Sequence, residues 1–170
     1  MAGIGGFPDD AALSDVLKRF PANSGMMLRL LNDIMCRPGE LSRGERELVA
    51  AQVSRLNQTD YCVFHHNRFA EAFDTKTDTI DEKYLPLLDY VSCLLRGTDG
   101  EVQSALETAQ DAGWSQQAIY EAVEVSGIFS LINSLVRTAQ LAPPASDSPR
   151  LTKDELENSY LNMAVRLGLD

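Results

Sequence analysis

Histidine and cysteine are scarce in this chain, with two histidines and three cysteines among 170 residues. The cysteines, Cys36, Cys62 and Cys93, are odd in number and widely spaced. A disulfide framework needs paired cysteines, whereas free thiols are typical of a reducing compartment. We therefore expect free thiols and a cytoplasmic location.

Positive charge is also scarce. The chain has 15 lysines and arginines and 25 aspartates and glutamates, which gives a formal net charge of −10 at pH 7. Binding to the phosphates of a nucleic acid needs a surplus of basic residues, and an anionic membrane surface has the same requirement. The composition therefore argues against nucleic-acid and membrane partners.

Long hydrophobic runs are missing too. No apolar run approaches the roughly 20 residues that span a bilayer. The first residues, MAGIGGFPDDAAL, have neither a basic region nor a sustained apolar core, so they predict no signal peptide. The chain is nevertheless 44% hydrophobic, and its length is that of one domain with a substantial core.

Apolar residues recur at helical spacing along the chain, and no stretch combines a strand period with hairpin turns. The sequence therefore predicts an all-α fold. The predicted helices are residues 11–20, 24–36, 43–56, about 59–73, about 81–96, a helix closed by Gly113, a strongly apolar helix that starts at Ser115, and a final helix at about 152–168.

The domain organisation follows from the breaks between these helices. We predict one helical domain over residues 1–170, with a core at about 10–141 and a linker at 142–150. Ser42 with Glu45, and Thr152 with Glu155, have the spacing of capping boxes that start two of the helices. The linker indicates that the last helix packs away from its sequence neighbour, and a neighbouring subunit is one place for it.

One short segment gathers the scarce residue types. In NQTDYCVFHHNRF, residues 57–69, Thr59, Cys62 and His66 have the spacing i, i+3 and i+7, so they share a helix face. Cys62 falls in the predicted first turn, where the helix dipole favours a thiolate. His66, one turn later, can exchange a proton with the sulfur, while His65 points about 100° away.

Glu47 is the carboxylate best placed to join this pair, because it lies beside the apolar face of the preceding helix. A buried carboxylate has a raised pKa and can accept a proton. We expect Phe64, Phe69 and Phe129 to line the pocket.

Other interpretations of these residues stay open. A single helical cysteine is usually a small buried hydrophobe, and a histidine pair is often structural. A zinc site has too few close ligands in this pattern. We expect neither a metal nor a cofactor.

The run LSRGERELVAAQVSRLNQTDYCVFHHNRFAEAF resembles the AhpD-like, or carboxymuconolactone decarboxylase, superfamily, and is most similar to its peroxidase-related branch. Glu47, Tyr61, Cys62, His65 and His66 fall on positions of the superfamily's motif. The likeness extends over most of residues 10–141.

This resemblance implies an all-helical fold that assembles into dimers, trimers or hexamers. It also implies a peroxidase chemistry based on a Cys-x-x-Cys pair. Carried onto this chain, Cys62 would attack the peroxide, and Glu47 and His66 would relay protons.

Thr59 departs from that pattern, because it stands where the first cysteine would form the disulfide. Three options follow: an external thiol resolves an oxidised Cys62, Cys36 or Cys93 resolves it, or peroxidase activity is lost. For Cys36 and Cys93 we favour structural roles.

Three functions are therefore carried forward. The first is a one-cysteine alkylhydroperoxidase-type oxidoreductase that uses a hydroperoxide and a thiol reductant. The second is a decarboxylase or isomerase for a small lactone or oxo acid, with His66 and Glu47 as acid and base. The third is a non-enzymatic redox-sensing helical oligomer.

Overall fold

The computed structural model describes residues 3–169 and contains helices and turns but no β-strand within that range. The predicted all-α class is confirmed. The helices are α1 (Leu13–Arg19), α2 (Ser24–Cys36), α3 (Arg43–Leu56), α4 (Asp60–Ala72), α5 (Leu85–Arg96, after a 3₁₀ turn at Glu82–Tyr84), α6 (Asp99–Asp111), α7 (Gln116–Ala139), α8 (Lys153–Leu156) and α9 (Ser159–Leu167).

Helix α3 lies at the centre of the bundle, between α4 and α7. It starts where predicted, because the Ser42 amide donates to Glu45 Oε2 at 2.8 Å and the Glu45 amide donates to Ser42 Oγ at 3.3 Å. Between α3 and α4, Gln58 has a positive φ of 54°, which turns the chain back on itself. Helix α4 packs against α3 after this turn.

The longest helix, α7, is long and apolar enough to cross a membrane by length and composition alone. Its buried face, however, carries polar groups that pair with α3. Glu121 Oε2 lies 3.0 Å from Arg46 Nη2, and Asn133 Oδ1 lies 3.2 Å from Ser54 Oγ. These contacts indicate that α7 packs inside the bundle beside α3.

The Glu121 carboxylate also holds the loop that precedes α3. It accepts hydrogen bonds from the amides of Glu40 and Leu41 at 3.1 and 2.9 Å. Gly39 leaves room for this arrangement, since a Cβ there would lie 2.2 Å from Arg46 Nη2. Burial alone would raise the pKa of Glu121, but these donors and Arg46 hold it at about 2. The buried pair fixes the start of α3, and with it the direction of Glu47.

The last helix differs from its prediction in two ways. It is divided into α8 and α9 at Asn158, which has a positive φ of 52°. Asparagine adopts this left-handed conformation more readily than most residues, so it interrupts the predicted single helix of residues 152–168. The predicted capping box at Thr152 and Glu155 is present at the start of α8.

The C-terminal helix α9 packs against α2 of the same chain. Asn32 of α2 accepts a hydrogen bond from the Leu161 amide at 3.1 Å, which satisfies a free donor in the first turn of α9. Gly25 allows the backbone of Leu169 to approach, because a Cβ there would lie 1.8 Å from the Leu169 oxygen. The linker is held to α4 by Arg68, which donates to the oxygen of Ser148 at 2.6 Å.

Candidate active site

A small, mostly apolar cavity of about 190 Å³ lies between α4, α7 and α9. Five of its wall residues come from α4, and of the residues predicted for the site in that segment only Thr59 and Phe64 are absent from the wall. The wall includes Tyr61, Cys62, His65, His66 and Phe69 from α4, Phe129 and Ile132 from α7, and Tyr160 and Met163 from α9. Phe64, predicted to line the cavity, instead contacts His65 edge to face.

Cys62 and His66 lie one helical turn apart on α4 and both face this cavity. They are almost completely buried, with 3% and 4% of their surface exposed. The His66 ring packs edge to face against Phe129, with centroids 4.3 Å apart. The spacing i, i+4 therefore places a thiol and an imidazole on one wall of a mostly apolar cavity, as predicted from the sequence.

Glu47 fixes the His66 ring from α3. Its Oε2 lies 2.6 Å from His66 Nδ1, and its Oε1 accepts a hydrogen bond from Arg43 Nε at 2.8 Å. The carboxylate has no exposed surface. The predicted inward direction of Glu47 agrees with this geometry.

The predicted rise in the pKa of Glu47 is wrong. Burial would raise this pKa, but Arg43 and the contact with His66 outweigh burial and lower it. Glu47 is therefore an ionised acceptor. His66 Nδ1 must carry the proton that it donates to Glu47, which leaves His66 Nε2 as the basic nitrogen.

The expected stabilisation of a Cys62 thiolate is also wrong. Burial raises the pKa of the Cys62 thiol to about 12. Cys62 does lie in the first turn of α4, but its own amide donates to the Thr59 oxygen at 3.0 Å. The thiol is therefore protonated at neutral pH and needs a base before it can act as a nucleophile.

Thr59 is the N-cap residue of α4 by position, but its hydroxyl makes no capping hydrogen bond. The hydroxyl donates instead to the backbone oxygen of Asn57 at 3.2 Å. Thr59 is buried, although it does not line the cavity.

The remaining motif residues have separate roles. Tyr61 accepts a hydrogen bond from the Leu13 amide at 3.1 Å, so its hydroxyl ties α1 to α4. The ring of His65 lies 4.7 Å from that of Tyr61. Burial lowers the pKa of His65 to about 4, and the ring is therefore neutral.

All three cysteines are free, and neither Cys36 nor Cys93 lines the cavity. Cys36 instead accepts a hydrogen bond from Arg43 Nη1 at 2.6 Å, and Arg43 in turn contacts Glu47. Cys93 lies on α5, which packs mainly against α6, α3 and α7. The Thr59 position thus has no substitute thiol inside the cavity.

Sequence reasoning missed two polar residues of this site. Arg43 forms an ion pair with Glu47, with 2.7 Å between Nη2 and Oε1, and its i, i+4 spacing was a usable signal. Tyr160 reaches the cavity from α9, across 98 positions from Cys62 in the sequence (160 minus 62), and no local pattern connects them.

Two other observations bear on the choice of the candidate site. An open depression of about 630 Å³ beside α5 is larger, but its wall contains no cysteine and no histidine. Within residues 3–169, no three side chains of the metal-ligating types histidine, cysteine, aspartate and glutamate form a cluster. The small cavity at Cys62 is therefore the candidate active site.

Fold and site together define an all-helical bundle in which a buried thiol and a carboxylate-bound imidazole share one small cavity. Residues 21–90 match the model of the carboxymuconolactone decarboxylase (CMD) family. That segment includes Glu47, Cys62 and His66, but it ends well before Tyr160. The resemblance to the AhpD-like, or carboxymuconolactone decarboxylase, superfamily is confirmed.

Two solved structures are similar to this chain. A peroxidase-related protein from Silicibacter sp. TM1040 has a TM-score of 0.61 at 21% identity, over 74% of this chain and 72% of that one. An alkylhydroperoxidase AhpD core protein, also described as peroxidase-related, from Ralstonia eutropha JMP134 has a TM-score of 0.63 at 19% identity, over 75% and 74%. At these identities the likeness supports the fold. No curated protein matches the chain significantly.

The raised pKa of Cys62 predicts how its alkylation depends on pH. Only the thiolate reacts with iodoacetamide, so the rate constant should rise about tenfold per pH unit from pH 6 to pH 10, without a plateau. Mass spectrometry of the Cys62 peptide after timed labelling measures this rate, and the Cys93 peptide from the same digest monitors a partly exposed thiol. A plateau below pH 9 would contradict the burial argument.

Proposed function

We propose that this protein is a one-cysteine thiol peroxidase, in which Cys62 reduces a small hydroperoxide. The observation that carries the proposal is the shared cavity of Cys62 and His66, together with the contact between His66 and Glu47. A thiol and an imidazole face one apolar cavity, and Glu47 lies 2.6 Å from the imidazole nitrogen on the far side. The resemblance to peroxidase-related proteins supports the same chemistry.

The first step begins with a protonated thiol. His66 Nε2 accepts the proton of Cys62 as the sulfur attacks the outer oxygen of the hydroperoxide, and Glu47 stabilises the imidazolium that forms. The O–O bond breaks, and the inner oxygen leaves with the electron pair and takes a proton from the imidazolium. The sulfur is oxidised to a sulfenic acid, and the hydroperoxide is reduced to an alcohol.

The second step needs a thiol from outside the cavity, because Thr59 cannot form a disulfide. A small monothiol attacks the sulfenic sulfur, forms a mixed disulfide and releases water. A second monothiol then restores the Cys62 thiol and leaves as the oxidised disulfide. The reducing cytosol that the free cysteines favour would supply this reductant.

A second function is favoured by one observation. The relay of Arg43, Glu47 and His66 is complete without the thiol, and the raised pKa of Cys62 keeps that thiol protonated. In this alternative, His66 is the general base of a lyase or isomerase for a small lactone or oxo acid. Cys62 is then only part of the apolar wall.

The peroxidase proposal is tested by trapping the sulfenic acid. After one equivalent of cumene hydroperoxide, dimedone should label the Cys62 peptide, with Cys36 and Cys93 as controls in the same digest. A monothiol added before the dimedone should convert the sulfenic acid to a mixed disulfide and so prevent the labelling. Equal labelling of all three cysteines, or no labelling of Cys62, would contradict the proposal. Labelling of Cys62 that persists after the monothiol treatment would favour the redox-sensing function instead.

A further inference from the structure

The C-terminal helix α9 places a tyrosine in the wall of the candidate active site. Tyr160 lines the same cavity as Cys62 and His66, and 7% of its surface is exposed. Its ring lies over the guanidinium of Arg43, with 5.5 Å between Arg43 Cζ and the ring centroid. The phenol is within electrostatic range of both Glu47 and Cys62.

The hydroxyl of Tyr160 has no hydrogen-bond partner among residues 3–169. A buried hydroxyl without a partner destabilises a fold, because the group loses its hydrogen bonds to water on burial. Tyr61, in the same cavity, shows the usual solution, since its hydroxyl accepts from the Leu13 amide. The Tyr160 hydroxyl therefore lacks the partner that burial normally requires, and the side chain that carries it belongs to the cavity wall.

A polar atom of a second wall residue shares this property. His65 Nε2 is also buried and unpartnered in the part of the chain that the structure describes. The rest of the wall is mostly apolar. A molecule with a compact oxygen-containing head and an apolar body matches this arrangement, because its head would satisfy the unpartnered polar groups.

We propose that the Tyr160 hydroxyl donates a hydrogen bond to the oxygen that leaves the peroxide when Cys62 attacks. This inference rests on the proposed peroxidase function and adds a substrate-binding residue from outside the segment that matches the family model. His66 supplies the proton to that oxygen, as in the first step above. Tyr160 stabilises the negative charge that develops on it before the proton arrives.

The protonation state of Tyr160 suits this role. Burial raises the pKa of the phenol well above its ordinary value, and the nearby Glu47 raises it further, although Arg43 opposes the shift. The hydroxyl therefore stays protonated at neutral pH, where it can donate a hydrogen bond.

The test compares two reactions of the same sulfur in the wild type and in Tyr160→Phe. Oxidation by cumene hydroperoxide has an oxygen leaving group, whereas alkylation by iodoacetamide does not. In Tyr160→Phe the second-order rate constant of Cys62 oxidation should fall at least about tenfold, while that of alkylation at the same pH should change by less than about twofold. A residue that only shapes the cavity would change both rates together.

Thermal unfolding supplies a second readout. Removing a hydroxyl that has no partner should leave the melting temperature of Tyr160→Phe equal to or above that of the wild type. Tyr90→Phe is the matched control, because Tyr90 is an equally buried tyrosine on α5 that does not line the cavity. It should leave the ratio of oxidation to alkylation unchanged. A lower melting temperature for Tyr160→Phe, together with an unchanged ratio, would overturn the inference.

Binding of 2-phenyl-2-propanol, the alcohol formed from cumene hydroperoxide, separates this inference from the peroxidase proposal. Its dissociation constant should rise about fivefold in Tyr160→Phe and stay constant in Tyr90→Phe. If the wild type binds the alcohol in this way but its Cys62 is not oxidised, the peroxidase proposal fails and Tyr160 remains a ligand-binding residue. Equal binding by the wild type and Tyr160→Phe, or binding by neither, would overturn the role of Tyr160.

Discussion

Replacement of Cys62 by serine is expected to lower the rate of cumene hydroperoxide consumption, measured with an excess of monothiol, by about 10³-fold or more. A serine hydroxyl has a much higher pKa than a thiol and cannot carry the sulfenic acid intermediate. His66 and Glu47 stay in place in this variant, so the loss would report the sulfur itself. Consumption of the peroxide, followed by its absorbance or by a colorimetric assay, gives the rate.

The matched control for this experiment is Cys93→Ser. Cys93 is a free and partly buried thiol that lies outside the cavity, so this variant should keep the wild-type rate. Circular dichroism of both variants would verify that the helical fold persists. Equal rates in the wild type and Cys62→Ser would reject the peroxidase proposal.

The same pair of variants distinguishes the second function. A lyase that uses His66 as its base should keep its turnover of a small lactone in Cys62→Ser and lose it in His66→Ala. The peroxidase proposal predicts that peroxide consumption falls in both variants. The two chemistries therefore give different patterns on one set of proteins.

The sequence was sufficient for the fold class and for most helix boundaries, because those depend on local signals. Ser42 with Glu45 gave the start of α3, and Thr152 with Glu155 gave the start of α8. The break at Asn158 was missed, because the segment has no glycine or proline to mark it. Its left-handed backbone is held by the tertiary contact with Asn32, whose Nδ2 donates to Asn158 Oδ1 at 3.2 Å.

The shared face of Cys62 and His66 was also predictable, since helical spacing determines which side chains of one helix lie together. The inward direction of Glu47 was expected from its place beside the apolar face of α3. The electrostatics of these residues were not predictable. The pKa of Cys62 depends on how much protein covers it, and the pKa of Glu47 depends on Arg43, so both follow from packing that the spacing does not show. The place of Tyr160 in the cavity wall was not predictable for the same reason, because it depends on how α9 packs against α2.

Glu47→Gln is expected to affect both activity and stability. The glutamine cannot neutralise Arg43, whose side chain is only 11% exposed, so the variant leaves a nearly buried cation without its partner. Breaking a buried ion pair in this way costs about 3–5 kcal/mol of unfolding free energy. Denaturant unfolding at pH 7 measures this difference. Glu45→Gln, on the same helix, removes the same charge but keeps a capping-box residue, so it should change stability by less than about 0.5 kcal/mol.

The stability difference should also depend on pH in a defined direction. The folded-state pKa of Glu47 is lowered, so its ionised form stabilises the fold above the ordinary carboxyl pKa. That contribution is lost as the pH falls below this value and through the folded-state pKa. The gap between the wild type and Glu47→Gln should therefore narrow in acid, and a constant gap from pH 7 to pH 3 would contradict the assigned ion pair.

The activity of Glu47→Gln should fall by about 10²–10⁴-fold, because the glutamine can donate its amide N–H to His66 Nδ1 and so place the ring proton on Nε2. The imidazole could then no longer accept the proton of Cys62. The double variant Arg43→Gln with Glu47→Gln separates the two effects, since it removes the unpaired cation together with its partner. We expect it to recover part of the lost stability and none of the lost peroxide consumption. Recovery of activity together with stability would mean that Glu47 only supports the fold and does not orient the His66 proton.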